Sequence, residues 1–565
     1  MAFNLADLIE HAIDAVPERT ALICGDRSIT YAQLEERANR LAHHLAANGV
    51  VERQHVAIYA YNSIEFVETM LAAYKLRAVP INVNYRYVED ELVYLYDNAD
   101  VVATVFQSEF CPRIAAVRDR LPMLQHLIVV GDGGGAVDGA VEYERALADA
   151  SPERDFGPRD AGDLYILYTG GTTGFPKGVM WRHEDVFRTL GGGIDFVTGE
   201  WISDEYALAR SGAENPLGHA LVLAPLMHGA AQWTTFGALF RGTSVVLLPK
   251  FDPHDVWTAV EKYKIGGLAI TGDAMARPLI EALIEGRRDL GARGEGSASD
   301  EPQAGGDSER SERSEPTKRY DVSSVYSVSS TAAVFSPVMK EQFLELLPNA
   351  FISEAVGSSE SGFNGLRLLE KGATANKSGL INVNMGPDTI VLDDDNKPVK
   401  PGEVGRMARG GNVPLGYYKD PAKTAATFIE VDGKRYSVPG DLARLEEDGT
   451  MTLLGRGSQC INSGGEKIYP EEVEAALKAH PEVYDVLVVG VDDERWGQKV
   501  AAIVQPRERA RPELDDLVEH CRTRIAGYKV PRALYLVDEI PRQPSGKPDY
   551  PRARKVAMDA MEVTT

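Results

Sequence analysis

The stretch that decides the fold is Tyr168-Thr169-Gly170-Gly171-Thr172-Thr173-Gly174-Phe175-Pro176-Lys177-Gly178. It follows the apolar run Leu164–Leu167 and so leaves the end of a predicted buried strand. Its glycines let the backbone approach a ligand closely. Its N–H groups, hydroxyls and lysine face one small space, which suits a polyphosphate. A Walker A loop needs Gly-Lys-Ser/Thr, whereas here Pro176 precedes the lysine and Gly178 follows it. The stretch therefore predicts a different phosphate loop; a solvated Gly/Thr turn is the alternative.

The composition is that of an ordinary globular chain, with 565 residues, 44% hydrophobic and 25% charged. Because one hydrophobic core does not grow to this length, we expect several domains. The net charge of −24 argues against nucleic acid or an anionic membrane as partner. The sequence shows no signal peptide and no run long enough to be a membrane span, so we expect a cytoplasmic protein without integral membrane association. The scattered cysteines, which lack metal-ligand spacing, are expected to be reduced thiols: Cys24, Cys111, Cys460 and Cys521.

The first half of the chain alternates predicted strands and helices. Thr30 and Gln33 form a capping box before a helix. A strand at Val56–Tyr59, a helix at Ile64–Tyr74 and a short strand at Val79–Ile81 follow. This βαβ order predicts parallel sheets covered by helices, an α/β fold. Further strands are predicted at Leu127–Val130, Leu221–Ala224, Val245–Leu248, Val486–Val489 and Leu534–Val537.

Two segments interrupt this order. Residues 286–318 are rich in Gly, Ser and charge, so we interpret them as a disordered surface insertion. The texture changes again near Gly455, where we place a boundary between an N-terminal domain of residues 1–455 and a C-terminal domain of residues 456–565. In the latter, Pro470 suits the first turn of a helix that runs to Lys478.

The order Thr-Gly-Gly-Thr-Thr-Gly-x-Pro-Lys-Gly resembles the phosphate loop of adenylate-forming enzymes, the acyl-CoA synthetase and luciferase superfamily. Further stretches are similar to that family in the same order, over nearly the whole chain: Pro225–Gly229, Val356–Glu360, Pro439–Asp441, Ile461–Pro470, Ala526–Pro531 and Pro541–Lys547. The resemblance implies a large N-terminal domain of αβ-layered subdomains and a small mobile α+β C-terminal domain. It also implies ATP, Mg²⁺ and coenzyme A as ligands.

The resemblance assigns the nucleotide site by position. Glu360 would ligate Mg²⁺, as would Thr172, and Asp441 would accept hydrogen bonds from the ribose. Lys547 would be the catalytic lysine of adenylation, stabilising charge in the transition state. The other expected ATP contacts are Thr169, Gly170, Gly171, Thr173, Gly174, Lys177, Gly357, Ser358, Ser359 and Arg456. Departures from the family pattern are Gly170 for Ser, Val356 for Tyr, Ser359 for Thr and Ser458 for Asp or Lys.

The two other substrates would bind on either side of this nucleotide. The acyl group is expected beside His228, with Gln232, Trp233, Thr331 and Ala332 along it. The small residues Ala230 and Ala231 point to a roomy pocket. The pantetheine arm of coenzyme A would pass Ser463, Gly464 and Gly465, and Lys529 would meet a phosphate of coenzyme A. Ser458 would be the hinge about which the small domain turns.

These matches predict an AMP-forming acyl-CoA ligase acting on a hydrophobic carboxylic acid. The stretches Tyr168–Glu184, Thr271–Pro278 and Ile461–Glu474 resemble actinobacterial fatty-acyl-CoA ligases, including those that activate steroid side-chain acids. An amino-acid adenylation module, a fatty-acyl-AMP ligase and a non-catalytic nucleotide- or CoA-binding protein are the alternatives. The sequence leaves acyl length and ring content open. It also leaves the oligomeric state open, with a homodimer as one alternative.

Overall fold

The computed structural model describes residues 3–131, 137–169, 175–190, 193, 201–291, 320–331, 335–369, 380–463, 466–493, 495–543 and 547–564. Of residues 286–291, 458 and 561–564 it describes the backbone. The first helices and strands are α1 Leu5–Ala15, β1 Thr20–Cys24, β2 Arg27–Thr30, α2 Tyr31–Ala47, β3 His55–Tyr59, α3 Ile64–Lys75, β4 Val79–Asn82, α4 Glu89–Asn98, β5 Val101–Gln107, α5 Cys111–Val117, β6 His126–Val130, β7 Val141–Glu142 and α6 Tyr143–Ala148.

The middle of the chain continues the alternation of strands and helices. Its elements are β8 Leu164–Thr169, β9 Lys177–Arg182, α7 His183–Thr189, α8 Ala207–Glu214, β10 Ala220–Val222, α9 Gly229–Leu239, β11 Val245–Leu247, α10 Pro253–Tyr263, β12 Gly267–Ile270 and α11 Gly272–Gly291. Helix α11 enters the predicted insertion, because residues 286–291 are its last six residues; that part of the prediction was wrong. The remainder of the insertion, residues 292–319, lies outside the described residues.

The later elements are mostly strands. They are β13 Ser327–Ser330, α12 Pro337–Leu346, β14 Phe351–Ser358, β15 Gly362–Leu369, β16 Asn382–Met385, β17 Thr389–Leu392, β18 Val404–Arg409, β19 Gly416–Tyr417, α13 Pro421–Thr427, β20 Phe428–Val431, β21 Lys434–Ser437, β22 Asp441–Leu445 and β23 Thr450–Arg456. The last are β24 Ile461–Ser463, β25 Glu466–Ile468, α14 Pro470–Lys478, β26 Val483–Asp493, β27 Gly497–Pro506, α15 Leu514–Arg522, β28 Ala533–Leu536 and α16 Tyr550–Thr564. Short 3₁₀ turns lie at Ser108–Phe110, Arg118–Arg120 and Gly457–Gln459.

Within the described part of the chain, the large N-terminal domain contains three sheets. In the described residues, the longest has the order β2-β1-β11-β10-β12-β13-β14-β15-β16-β23-β22-β18-β21-β20, with β17 on β18. A second, β4-β3-β5-β6-β7, is parallel throughout, as the βαβ order predicted. The third is β19-β9-β8, antiparallel, in which Leu164–Thr169 pairs with Lys177–Arg182 as a hairpin around the glycine-rich loop.

The small C-terminal domain has its own sheet, β25-β24-β27-β26 with β28 on β27. Helices cover both faces of this sheet, and its central strands accordingly carry apolar side chains on both faces. Val486 and Val488 pack with α14 and α15, whereas Leu487 and Val489 pack with Ala553 of α16. The chain passes from one sheet to the other between Arg456 and Ile461, and the boundary between residues 455 and 456 stays a prediction.

The sheet order places one edge of the large domain against the small domain. Strands β11, β10, β12, β13 and β14 run parallel to one another. Their carboxyl ends therefore open at a common edge, where open α/β sheets bind ligands. No helix among the described residues is both long and apolar enough to cross a membrane.

Candidate active site

A cavity of about 1670 Å³ lies at this edge, between the two domains. The large domain contributes strand ends and the start of α9, including Leu223, Ile270, Thr331, Gly357 and His228. The small domain contributes the opposite wall: Gln459, Cys460, Ile461, Val488, Val489, Gly490, Gln498, Gln543, Lys547, Pro548, Asp549, Tyr550, Pro551 and Arg554. A single small-ligand pocket holds roughly 300–1,000 Å³, so this cavity is large enough for more than one substrate.

The strands that flank the glycine-rich loop position its two ends. Thr169, at the end of β8, pairs with Lys177, at the start of β9, and Thr169 lines the cavity. Lys177 Nζ lies 2.7 Å from Asp420 Oδ2. Phe175 stacks on Tyr94, with ring centroids 4.2 Å apart. Gly170, Gly171, Thr172, Thr173 and Gly174 lie outside the described residues.

Tyr417 connects this hairpin to Glu360. Its hydroxyl donates to Glu360 Oε1 at 3.2 Å, and its ring lies 5.7 Å from Lys177 Nζ. Burial and the neighbouring Glu360 carboxylate raise the pKa of Tyr417, so the phenol keeps its proton and acts as donor. The turn that carries Glu360 is fixed from behind, because Ser437 Oγ donates to the Glu360 carbonyl at 2.6 Å and Trp181 Nε1 to that of Ser359 at 3.0 Å.

Gly357 and Ser358 end β14 at the cavity wall. A Cβ on Gly357 would lie 2.6 Å from the Gly362 carbonyl oxygen, so a larger residue would push the β14–β15 hairpin apart. Ser358 Oγ lies 2.9 Å from Ser361 Oγ. Val356 and Ser359 line the same wall, so this predicted group is brought to the cavity as a set.

Asp441 and Arg456 are cross-strand partners at the ends of β22 and β23. Arg456 Nε lies 3.4 Å from Asp441 Oδ1. Gly440 precedes them with a φ of 102°, a conformation that glycine adopts without strain, which explains the Pro-Gly-Asp turn.

Lys547 brings the small domain into this group. Burial lowers its pKa, Arg456 adds to the effect, and the carboxylates of Glu360 and Asp441 oppose it. Arg456, Glu360 and Asp441, from motifs far apart in sequence, therefore all lie within electrostatic range of Lys547. Lys547 also contributes to lowering the pKa of His228, which burial brings to about 4, so this imidazole is neutral near pH 7.

His228 is the N-cap residue of α9, and its Nε2 is buried without a hydrogen-bond partner in the described structure. Beside it, Gly229, Ala230, Ala231, Trp233 and Thr234 line the cavity. Thr331 lines it as well, whereas Ala332 lies outside the described residues.

The structure does not bring Gln232 to the cavity. Gln232 is 3% exposed, and its side chain is held within the large domain by two hydrogen bonds. Its Oε1 accepts from Tyr165 Oη at 2.7 Å, and its Nε2 donates to the Leu226 carbonyl at 2.8 Å. This geometry does not support Gln232 as an acyl contact. Its neighbour Trp233 lines the cavity and donates from Nε1 to Tyr165 Oη at 3.2 Å.

Of the residues predicted for coenzyme A, Ser463 and Lys529 do not line the cavity. Ser463 is buried in β24, where it pairs with Gly497 and Glu466. Lys529 Nζ donates to both carboxylate oxygens of Glu472 at 2.8 and 2.7 Å. Gly464 and Gly465 lie outside the described residues, and Ser458 belongs to the short 3₁₀ turn between the domains.

Two asparagines that the sequence did not single out hold the His228 loop. Asn82 donates to the carbonyls of Tyr168 at 2.8 Å and Met227 at 2.6 Å, and its Oδ1 accepts from the Tyr168 amide. Asn62 accepts from the Leu226 amide at 2.6 Å. Asn82 thus ties the phosphate hairpin to His228. Its only signal in the sequence is a polar residue directly after the apolar Val79-Pro80-Ile81.

The chain is similar to known proteins over most of its length. The family described as "AMP-binding enzyme" matches residues 9–418, and "AMP-binding enzyme C-terminal domain" matches residues 472–547. A 3-oxocholest-4-en-26-oate–CoA ligase of Rhodococcus rhodochrous is 53% identical over 555 residues, covering 97% of this chain and 95% of that protein. A medium/long-chain-fatty-acid–CoA/3-oxocholest-4-en-26-oate–CoA ligase of Mycolicibacterium smegmatis is 52% identical, covering 98% and 97%.

Solved structures have the same fold. ATP-bound MatB from Rhodopseudomonas palustris superposes with a TM-score of 0.78 at 23% identity, covering 99% of this chain and 100% of that one. At this identity the likeness bears on the fold alone.

Proposed function

Since the chain belongs to the AMP-binding enzyme family, we propose that it joins a bulky, largely apolar carboxylic acid to coenzyme A through an acyl-adenylate. It is an ATP-dependent acyl-CoA ligase, an AMP-forming acyl-CoA synthetase. The observation that carries the proposal is the inter-domain cavity, in which one wall holds His228 and Ser359, the residue that precedes Glu360. Lys547 faces them from the other domain.

In the first half-reaction the acid's carboxylate would attack the α-phosphorus of ATP and release pyrophosphate. Lys547 is the cation best placed to neutralise the charge that builds there, because it reaches the cavity near His228. The neutral His228 presents an unpartnered Nε2, which would hydrogen-bond the carboxylate without adding charge. Asp441 would accept from the ribose hydroxyls, steadied by Arg456.

A magnesium ion fits the donor groups on the Glu360 side. Glu360 offers a hard carboxylate oxygen, held in place by the Tyr417 hydroxyl at 3.2 Å, and magnesium in nucleotide sites takes one or two carboxylates and fills its shell with phosphate and water. When bound, the ion would supply Lewis-acid neutralisation of phosphate charge. Thr172, the second expected ligand, stays a prediction.

In the second half-reaction coenzyme A would displace AMP from the acyl-adenylate. This step needs the small domain to move, because Ser463 and Lys529 lie away from the cavity while Lys547 lines it. A turn about Ser458 would withdraw Lys547 and bring the 463–465 loop to the intermediate. Such domain movements let one site serve two steps.

Two observations support the proposed acid: the names of the related ligases and the size of the cavity. The ligases named above act on 3-oxocholest-4-en-26-oate and on medium- to long-chain fatty acids. The cavity of about 1670 Å³ and the small residues Ala230 and Ala231 would accommodate a fused-ring acid next to ATP. We therefore place steroid side-chain acids first and straight-chain fatty acids second. A cytoplasmic location and a homodimer stay predictions.

The test is pyrophosphate release across a panel of steroid side-chain and straight-chain acids, with and without coenzyme A. Thioester formation fastest with the steroid acids would support the full proposal, and preference for straight chains would contradict its steroid part. Pyrophosphate without thioester would identify an acyl-AMP ligase instead. A Lys547→Ala variant should lose adenylation but still form thioester from supplied acyl-AMP, and equal loss of both would contradict the role of Lys547.

A further inference from the structure

A buried charge bridge joins the two domains through residues that do not line the cavity. Lys478, the last residue of α14, places Nζ 3.3 Å from Asp273 Oδ2 and 3.3 Å from Asp485 Oδ1. The side chains of Lys478 and Asp273 are 5% and 3% exposed. Asp273 belongs to α11 of the large domain, whereas Lys478 and Asp485 belong to the small domain. One ammonium group therefore pairs with a carboxylate of each domain.

From Asp485 the bridge reaches the loop that carries Lys547. Arg542 donates from its guanidinium to Asp485 Oδ2. Arg542 also forms a β-bridge with Pro548, and the Gln543 amide donates to the Lys547 carbonyl at 2.8 Å. The path Asp273–Lys478–Asp485–Arg542 thus ends at the backbone of Lys547 and Pro548.

A hydrogen bond to α12 fixes the carboxylate at the large-domain end of this path. Asp273 Oδ1 accepts from the Ser336 amide at 2.8 Å, at the start of α12. One turn further along α11, the Arg277 guanidinium lies 4.6 Å from the ring centroid of Tyr484, the residue before Asp485. A cation held over an aromatic ring adds to the attraction between the domains.

The bridge is sensitive to the loss of any one of its charged residues, because its charges are buried. Burial by itself would lower the pKa of Lys478, but Asp485, Asp273 and Glu474 outweigh it and raise that pKa. Burial would raise the pKa of Asp485, and Lys478 and Arg542 outweigh it and lower that pKa. The charged forms therefore depend on one another, and removal of one partner leaves a buried charge uncompensated.

We propose that Lys478 and Arg542 are positioning residues for the adenylation half-reaction, holding the Lys547 loop against the large domain through Asp273. This inference rests on the proposed function. The Asp273–Lys478 contact must break when the small domain turns for the thioester step. The bridge therefore favours the first arrangement and opposes the second.

The experiment measures the two half-reactions separately in Asp273→Asn and Lys478→Met. Asp273→Asn removes the ion pair between the domains, because Lys478 keeps Asp485 and the asparagine oxygen can still accept from the Ser336 amide. We expect acyl-AMP formation to slow by about tenfold in both variants. Thioester formation from supplied acyl-AMP should stay at the wild-type rate or rise, and the KM for ATP should change little. Lys478→Arg should restore adenylation, and Lys264→Met, which removes the surface pair with Asp321, is the matched control.

A purely structural role would lower both half-reactions together, and that result would overturn the inference, as would unchanged adenylation in both variants. Trypsin cleavage after Arg456, between the domains, gives a readout without activity. Asp273→Asn and Lys478→Met should be cut faster than the wild type and Lys478→Arg should not; equal rates would also overturn the inference. Absence of acyl-AMP in the wild type with every acid would count against the proposed function, whereas the cleavage result still decides on the bridge.

Discussion

Lys177 and Asp420 form an ion pair of 2.7 Å at the base of the glycine-rich hairpin. Asp420 has a second task, because its Oδ1 accepts from the Lys423 amide at 2.9 Å as the N-cap of α13. A phosphate that binds Lys177 must therefore share or displace this carboxylate. The Asp420 carboxylate therefore weakens the electrostatic attraction between Lys177 and a bound nucleotide.

Removing the lysine should weaken nucleotide binding more than it slows chemistry. For Lys177→Met we expect the KM for ATP to rise by about tenfold, since one charge-assisted contact to phosphate is lost. Lys177→Arg should recover part of it. Initial rates against ATP concentration give the answer, and a changed kcat at constant KM would contradict this role.

Asp420→Asn should have the opposite effect. Asparagine keeps the helix cap but removes the negative charge beside Lys177. The KM for ATP should fall by about two- to fivefold at unchanged melting temperature. A higher KM would mean that Asp420 orients Lys177 rather than competing with phosphate for it.

Glu360→Gln should raise the magnesium concentration needed for half-maximal pyrophosphate release by about tenfold, because a neutral amide is a weaker ligand for a hard cation. The Tyr417 hydroxyl can still donate to the amide oxygen, so the fold should be kept. Glu341→Gln, at an exposed position of α12, is the control. Identical magnesium dependence in the Glu360 variant and the wild type would remove Glu360 from the metal site.

Ala230→Leu should narrow the acyl side of the cavity, which Ala230 lines. We expect kcat/KM for steroid acids to fall by about tenfold more than for a short fatty acid, since an overfilled pocket excludes the wider ligand. Ala47→Leu, at an exposed position of α2, should leave both values unchanged. An equal fall for both acids would place Ala230 outside the acyl pocket.

Glu471 should make stability depend on pH. Burial raises its pKa to about 8 from a usual 4.5, and Glu474 and Asp441 add to the effect. Its contribution to stability is full below pH 4.5, and it is lost as the pH rises through about 8. Glu471→Gln should therefore change the melting temperature little at low pH and raise it by about 2 °C or more above pH 8. Glu519→Gln, exposed on α15, should show no such trend, and a pH-independent gain for Glu471→Gln would contradict the prediction.

Local signals in the sequence predicted much of the fold. The capping box of Thr30 and Gln33 is present, α3 ends one residue beyond its predicted end, and Pro470 opens α14. These features depend on residues within a few positions of one another. The parallel order of β3, β4 and β5 follows from the same alternation of short elements.

Contacts between distant residues could not be predicted in this way. Helix α9 carries small or apolar residues on every side, so its pattern did not tell which face meets the cavity. Gln232 was predicted on that face, and the structure places it elsewhere. The sequence around Lys177 does not predict its ion pair with Asp420, and the sequence around Lys478 does not predict its ion pair with Asp273. Residues 286–291 were predicted to belong to the insertion because these charged and glycine-containing residues have the composition of a loop. The structure places them at the end of α11.

The pairing of β9 with β19 has a consequence for biosynthesis. Val179 and Met180 take their edge partner from Gly416 and Tyr417, which the ribosome makes much later. The β8–β9 hairpin therefore lacks its β19 partner while most of the large domain is being synthesised. Contacts between residues so far apart in sequence form slowly. We expect the nascent chain to acquire ATP affinity only once Tyr417 has left the exit tunnel, late in translation.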